Sequence, residues 1–445
     1  MSEHSCPTGW QVVRLGDVCE IITKGTTPNH RGFEYQSEGV TFVKIESIGD
    51  DGKFIPEKLT HIDKKCHNAL KRSQIRANDL LLSIAGALGR RAIASAALLP
   101  ANTNQAVAII RLRQDAPIDL RFLNYFVVGP QIRHYIERIN VQSAQANISL
   151  ANVNDFPIAI PSFNQQRKIA KILTTVDNLI EKTEALIAKY QAIKQGMMHD
   201  LFTRGVDENG HLRPSYEEAP ELYKQSELGW IPREWKCDSL GSISTSMTNG
   251  FVGVATPFYT DDGTGIPYLY GNNVRIHTLD LPTKVRVTRQ FHESQKKSQL
   301  QPGDMLTVQS GHIGTSAIVP ASLGEANCHA LIITKLRREK TDPAFVSLYC
   351  NSPLGMQRMS SIFVGSTVKH INVKEFKNFF LPMPTSCYEQ TEMCGRLESV
   401  SRSIEGEIHQ VIKLREIKSG LMQDLLMGKI RVKVDESEEV AHDPC

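Results

Sequence analysis

Three features of the chain predict an α+β fold in which two similar mixed α/β domains are separated by two long antiparallel helices forming a coiled coil, in a pseudo-two-fold arrangement. The first is an internal repeat: the stretch opening at Trp10 is written again from Trp235, and the copies stay in step at an offset of 225 residues through most of each half. The second is an alternation of short apolar runs with Gly, Asn and Asp turns inside each copy. The third is a pair of proline-free amphipathic stretches, one closing each copy.

The repeat is densest where Ser73 to Ile93 (SQIRANDLLLSIAGALGRRAI) aligns with Ser298 to Ile318 (SQLQPGDMLTVQSGHIGTSAI). Leu15-Gly16 answers to Leu240-Gly241, Gly25 to Gly250 and Asp79 to Asp304. Later, Ile193-Lys194 answers to Ile417-Lys418, and Met198, Asp200 and Leu201 to Met422, Asp424 and Leu425. Solenoid repeats run at about 20–50 residues, so a repeat of this length makes each copy a domain. Residues 1–161 and 229–384 are the expected domains. Within them Val40 to Ile45, Leu80 to Ile84 and Ala106 to Leu112 read as strands, and Leu120 to Val128 and Gln131 to Ile139 as helices broken at Pro130. Their counterparts are Phe345 to Cys350 and Leu354 to Ile362, after Pro353. Gly86/Gly89 and Gly311/Gly314 fit tight turns.

The helices are expected over residues 162–204 and 385–430. The first carries Ile169, Leu173, Val176, Ile180, Ile187, Tyr190, Met197 and Leu201 on one stripe, interrupted by Thr183 and Lys194. The second carries Met393, Leu397, Val400, Ile404, Ile408, Val411, Leu414, Ile417, Leu421 and Leu425. At about 1.5 Å per residue, each would reach roughly 55 Å, longer than a compact domain needs. Two such stripes at equivalent places predict a strut of paired helices. Residues 205–228, rich in Glu, Pro, Gly and Asn, read as an exposed connection, and the acidic stretch 431–445 as a disordered tail.

Composition narrows the chemistry. A net charge of +3 and a pI near 8.3 are only mildly basic. Nine cysteines without a CxxC pair, and no leading signal peptide, point to a reduced cytoplasmic protein. The longest apolar runs, such as Ala92 to Leu99, fall short of the roughly 18–20 residues of a membrane span. There is no P-loop, no Asn-Pro-Pro-aromatic tetrapeptide, no HExxH and no glycine fingerprint for S-adenosylmethionine. In the nearest candidate for the last, Phe251 to Ala255, the second glycine is missing. Glu416-Ile417-Lys418 sits in the second helix and reads as a solvated face, and Cys328-His329 lies in a strand whose neighbouring side chains point apart. No catalytic residue and no metal ligand set is expected.

What differs between the copies is polar and lies in loops. The first offers Lys24, Thr26, Thr27, Lys44, Glu46, Ser47, Arg90, Arg91, Asn104 and Gln105. The second offers Asn249, Tyr270, Asn272, Asn273, Ser310, His312, Thr315 and His329. Arg and Lys suit guanine edges, Asn and Gln adenine, Ser and Thr either, so most of these side chains are of the kind that reads DNA bases. Gln142 to Ile148 and Gly365 to Ile371 could touch phosphates through hydroxyls and backbone amides.

The order of parts, together with GWQVVRLGDV (Gly9 to Val18), LGWIPREW (Leu228 to Trp235), IKQGMMHDLFTRG (Ile193 to Gly205) and IKSGLMQDLL (Ile417 to Leu426), resembles the specificity subunits of type I restriction–modification systems. The resemblance covers almost the whole chain. It implies that each domain is a target recognition domain reading one half of a split double-stranded DNA sequence. It also implies that the helices set the spacer and bind two methyltransferase subunits, and that restriction subunits carrying translocase and nuclease join that core. S-adenosylmethionine, ATP and Mg would then sit on the partners, with adenine the methylated base. The alternatives are a coiled-coil scaffold, an orphan DNA-binding module without such partners, and a recognition module fused to its own catalysis, for which the chain lacks extra domains.

Overall fold

A computed structural model describes residues 8–139, 147–261, 263–281, 285–365 and 369–434. The chain divides into two compact units, one of Met1–Ala185 with Ile408–Cys445 and one of Leu186–Glu407. The acidic tail from residue 435 lies outside the described residues.

In the first unit Gln11–Arg14 pairs antiparallel with Pro157–Ile160, joining the two ends of the domain. A four-stranded antiparallel sheet has the order Cys19–Lys24, Val107–Leu112, Leu80–Ser83, Arg91–Ile93. A second sheet has the order Thr60–Ile62, Val40–Val43, Ala101–Thr103, Gln74–Ile75, with its two central strands parallel. The continuous apolar runs of the first sheet follow from burial on both faces. Leu80, Leu82, Ala108 and Ile110 pack towards the helices Leu120–Phe126 and Pro130–Ile139, whereas Leu81, Val107 and Ile109 pack with Val43, Ile75 and Ala101 of the second sheet. Pro130 starts the second helix, where a missing N–H costs nothing.

The second unit repeats this wiring. Its sheets run Ser244–Asn249, Leu331–Leu336, Met305–Val308, Ser316–Ile318 and Arg286–Val287, Ile266–Leu269, Ala326–Cys328, Gln299–Leu300, with the parallel pair in the same place. Lys236–Ser239 pairs with Phe380–Met383, and the helices are Pro343–Asn351 and Pro353–Met359.

Buried polar groups explain which residues the copies keep. In the first unit the Asn102 amide donates to Leu70 O (3.2 Å) and Ser73 Oγ (3.0 Å), and His67 Nδ1 lies 2.5 Å from its oxygen. In the second, Asn327 donates to Gln295 O (3.3 Å) and Ser298 Oγ (2.8 Å), with His292 Nδ1 at 2.5 Å. Each member sits at the offset of 225. An unpaired donor in such a place would cost about 1–3 kcal/mol, which fixes the residue types. Asp79 and Asp304 each accept from a backbone N–H three residues earlier, Arg76 (2.6 Å) and Gln301 (2.9 Å), and face a cation on the neighbouring strand, Arg111 at 2.7 Å and Lys335 at 3.5 Å.

The long helices are unbroken over Phe163–Thr203 (41 residues) and Cys387–Leu426 (40 residues). Each is anchored at its start by a buried glutamine. Gln166 binds Pro117 O, Pro161 O and Asp119 N, and Gln390 binds Lys340 O, Pro384 O and Asp342 N.

The helices run antiparallel within each unit. In the first, Lys418 meets Asp177 at 2.5 Å and Arg415 meets Glu184 at 2.7 Å, while Leu425 and Leu426 join Ile169, Ala170 and Leu173 on the domain core. In the second, Met198, Leu201 and Phe202 pack with Met393, Cys394 and Leu397, and Phe202 meets Phe345 and Tyr349 edge-on. Of the remaining stripe positions, Val176 and Val411 are buried, whereas Ile180, Ile187, Tyr190, Met197, Val400, Ile404, Leu414 and Leu421 are half-buried. Ile408 (41%) and Ile417 (42%) are exposed. Thr183, read as a break in the stripe, is buried, because its hydroxyl returns to Leu179 O at 2.8 Å and leaves its methyl to pack.

The segment after the first helix corrects the expectation of an exposed connection. Tyr223–Ser226 and Gly229–Pro232 form a hairpin, and Val206, Ala219 and Tyr223 are buried. Arg213 is buried against Glu389, which also accepts from Trp235 Nε1 (3.1 Å) and Val206 N (3.0 Å). Glu, Pro, Gly and Asn made the stretch look solvated, but a single buried arginine ties it down.

Candidate nucleic-acid interface

In both units the divergent loops emerge beside backbone that tolerates no side chain. A Cβ on Gly25 would lie 1.9 Å from Thr103 O, and one on Gly250 2.6 Å from Cys328 O. The loop after Lys24 is therefore pressed against the strand end at Thr103, and the loop after Asn249 against Cys328. Gly86, Gly89, Gly311 and Gly314 all have positive φ, between 70° and 86°, as tight turns require.

In the first unit this loop carries Thr26 and Thr27. Thr26 N–H donates to Thr103 O (3.1 Å) and its hydroxyl accepts from Arg72 (3.4 Å), while the Thr27 hydroxyl donates to the exposed Gln105 side chain. Asn104 turns its oxygen to Ala106 N (3.1 Å). Lys24 is half-buried at the strand end and Glu46 is exposed. Lys44 lies 4.0 Å above the Tyr35 ring, and Arg90 is held by Asp50 at 2.9 Å. Two candidates do not reach solvent. Ser47 is fully buried, accepting from Lys44 N (3.2 Å) and donating to Lys58 O (2.7 Å). Arg91 is 3% exposed, donates to Asn124 O (2.9 Å) and Asp50 O (3.2 Å), and has its pKa lowered by burial. Both hold the loops in place rather than facing a ligand.

In the second unit the same places carry different chemistry. Asn249 is exposed and accepts from Gln309 (2.8 Å). Asn273 is half-buried and spends its side chain on Tyr270 N (2.8 Å) and Asp280 O (3.3 Å). Asn272 and Ser310 are exposed, Thr315 is half-buried, and His312 reaches Val274 O at 3.2 Å. The Tyr270 hydroxyl meets that of Tyr259, and its ring lies 4.9 Å from His329, whose pKa is lowered by burial. Side chains that the sequence did not single out border the same loops: Tyr35 and Arg72 in the first unit, and Phe251, Val252, Val254, Phe258 and Tyr259 in the second. In the sequence the string from Phe251 reads only as an incomplete glycine fingerprint.

Of the loops at Gln142 to Ile148 and Gly365 to Ile371, residues 142–146 and 366–368 lie outside the described residues. Cys328 is fully buried, with its thiol pushed up by burial, and His329 Nδ1 lies 3.1 Å from Tyr268 Oη, so the two are not a nucleophile and its base. Lys418 of the Glu-Ile-Lys string is taken by Asp177. Among the described residues no group of three or more His, Cys, Asp or Glu could hold a metal ion, and no helix is long and apolar enough to cross a membrane.

Comparison with known proteins places this geometry. The model for the type I restriction modification DNA specificity domain matches twice, over residues 7–191 and 232–414. The MjaX specificity subunit of Methanocaldococcus jannaschii is 26% identical over 436 residues, covering 96% of this chain and 95% of its own. The MjaVIII specificity subunit of the same organism is 25% identical over 441 residues, covering 96% and 94%. Among solved structures, the S subunit from M. genitalium superposes with a TM-score of 0.52 at 15% identity, covering 94% of this chain and 96% of its own. A chain from a type I R-M assembly superposes with a TM-score of 0.57 at 16% identity, covering 96% and 100%. With the same domain model matched in both halves, the chain belongs to the type I restriction modification DNA specificity domain family.

Proposed function

We propose that this chain is the non-catalytic DNA-specificity subunit of a type I restriction–modification complex, acting in the cytoplasm, in which each unit reads one half of a bipartite duplex target. The observation that carries this reading is the pairing of a shared hydrogen-bonded framework with unlike loop side chains. His67–Asn102–Ser73 and His292–Asn327–Ser298 hold the same backbone, while the adjoining loops present Thr27, Gln105 and Lys44 in one copy and Phe251, His329 and Tyr270 in the other. A protein reading one sequence twice would keep its reading residues too.

The two long helices are the proposed ruler. Two unbroken helices of about 40 residues each contribute to both units, and a change in their length would change the unread spacer between half-sites, as equivalent major-groove faces recur about every 34–36 Å. Two methyltransferase subunits would dock on this chain and restriction subunits on that core, with S-adenosylmethionine, ATP and Mg held by those partners. The mild net charge of +3 suits a subunit whose partners supply part of the phosphate-contacting surface.

The test is methylome sequencing of a host carrying the chain with its partner genes. One helical turn inserted into the first helix, with its match in the second, should change the unread spacer and leave both half-sites intact. Altered half-site sequences, or no bipartite motif in the parent, would overturn the reading.

A further inference from the structure

We infer that the second unit reads its half-site through thymine methyl groups, using the exposed valines Val252 and Val254, a chemistry the first unit does not share. This rests on the DNA-reading role proposed above. Val252 is 69% and Val254 74% exposed, more than any other exposed large apolar side chain among the described residues. The loop is nonetheless held firmly. Phe251 N–H donates to Cys328 O (2.9 Å) and its carbonyl accepts from Ala330 N (3.0 Å), while its ring packs on Phe291 at 5.0 Å. Phe258 also lies 5.0 Å from Phe291, Tyr268 5.8 Å from it, and Tyr270 closes the assembly on His329. The valines thus project from a fixed aromatic base and need little ordering on contact.

The charge pattern points the same way. No lysine or arginine occurs from Asn249 to Tyr259, whereas the equivalent stretch of the first unit, Lys24 to Glu34, carries Lys24, His30 and Arg31. Phe251 replaces Thr26 and Val252 replaces Thr27 at the offset of 225. The first loop therefore offers hydroxyls and cations to base edges, whereas the second offers methyl groups. In the major groove the partner for a bare methyl is the C5-methyl of thymine.

The chain copurified with its methyltransferase subunits would be titrated with duplexes carrying the methylome-defined target, each thymine of both half-sites replaced in turn by deoxyuridine, which removes only that methyl. Binding should weaken about fourfold for each methyl contacted in one half-site, the size expected for about one buried methyl group. The same titration with Val252→Ala/Val254→Ala should give equal affinity for thymine and deoxyuridine there. Both side chains are solvent-exposed, so the variant folds as the parent does. Equal binding of both duplexes by the parent protein, or a thymine preference that persists in the variant, would overturn the inference while leaving the DNA-reading role standing. A complex with no preference for the target over unrelated duplex would overturn that role itself.

Discussion

The two units differ at their opening tryptophans. Trp235 is fully buried, its indole N–H donating to Glu389, and Glu389 in turn holds Arg213 and Val206 N. Trp10, its partner in the repeat, is half-buried, and the residue equivalent to Glu389 is Gln165, which caps the helix start through Ser162. The second unit must secure the 205–234 segment that reaches it from the first long helix, and a buried charge pair does so. The comparison separates two kinds of residue. The His–Asn–Ser networks and the turn caps Asp79 and Asp304 stay the same in both copies, whereas residues that tie down a local feature, or face outward, are free to change.

The largest expected effect tests this difference. Glu389→Ala leaves Arg213 buried without its main partner and should cost about 3–5 kcal/mol of stability, whereas Gln165→Ala should cost less than about 1 kcal/mol. Equal losses in denaturant titrations of the two variants would break the contrast. Next in size, Asn102→Ala and Asn327→Ala should each cost about 1–3 kcal/mol, because each removes the amide's bonds to a carbonyl and a serine hydroxyl and takes away the oxygen that the histidine Nδ1 meets. If one variant proved neutral, the two frameworks would not be equivalent.

An effect of similar size is confined to the second unit. His277 is driven down to about 4, first by burial and then by the nearby Lys194. Its folded value lies below the ordinary 6.5, so the unfolded chain takes up the proton first, and stability falls as pH drops from about 6.5 towards 4. The loss should be on the order of 2–3 kcal/mol, and His277→Gln should flatten that part of the profile in thermal melts at stepped pH. Smallest for stability are the surface cations. Lys44→Gln and Arg90→Ala should move stability by less than about 1 kcal/mol, yet each should lower the slope of log affinity against log salt by about one where that cation meets a phosphate.

The repeat made much of this legible before any coordinates. Gly25/Gly250 and Asp79/Asp304 stand out in the alignment, and each proves to be a close backbone approach or a buried turn cap. The strands at Leu80 and Val107 were visible because burial on both faces demands unbroken apolar runs. The His–Asn–Ser networks were not seen, although all their members share one offset, because 29 to 35 residues separate the partners and none is unusual alone. Burial of Ser47 and Arg91 is hidden from the sequence for a different reason: residue type states what a side chain can bind, not whether the fold has already bound it. Arg213 was hidden the same way, a buried cation inside a segment of polar composition.

The account's central claim, two independent readers on one chain, is tested most directly by methylome sequencing of hosts carrying the partner subunits with either Thr27→Ala/Lys44→Gln or Val252→Ala/Val254→Ala. Each variant should relax or change one half of the bipartite motif, a different half in each case, with the other half and the spacer unchanged. A single contiguous motif, or a change in both halves from either variant, would contradict it.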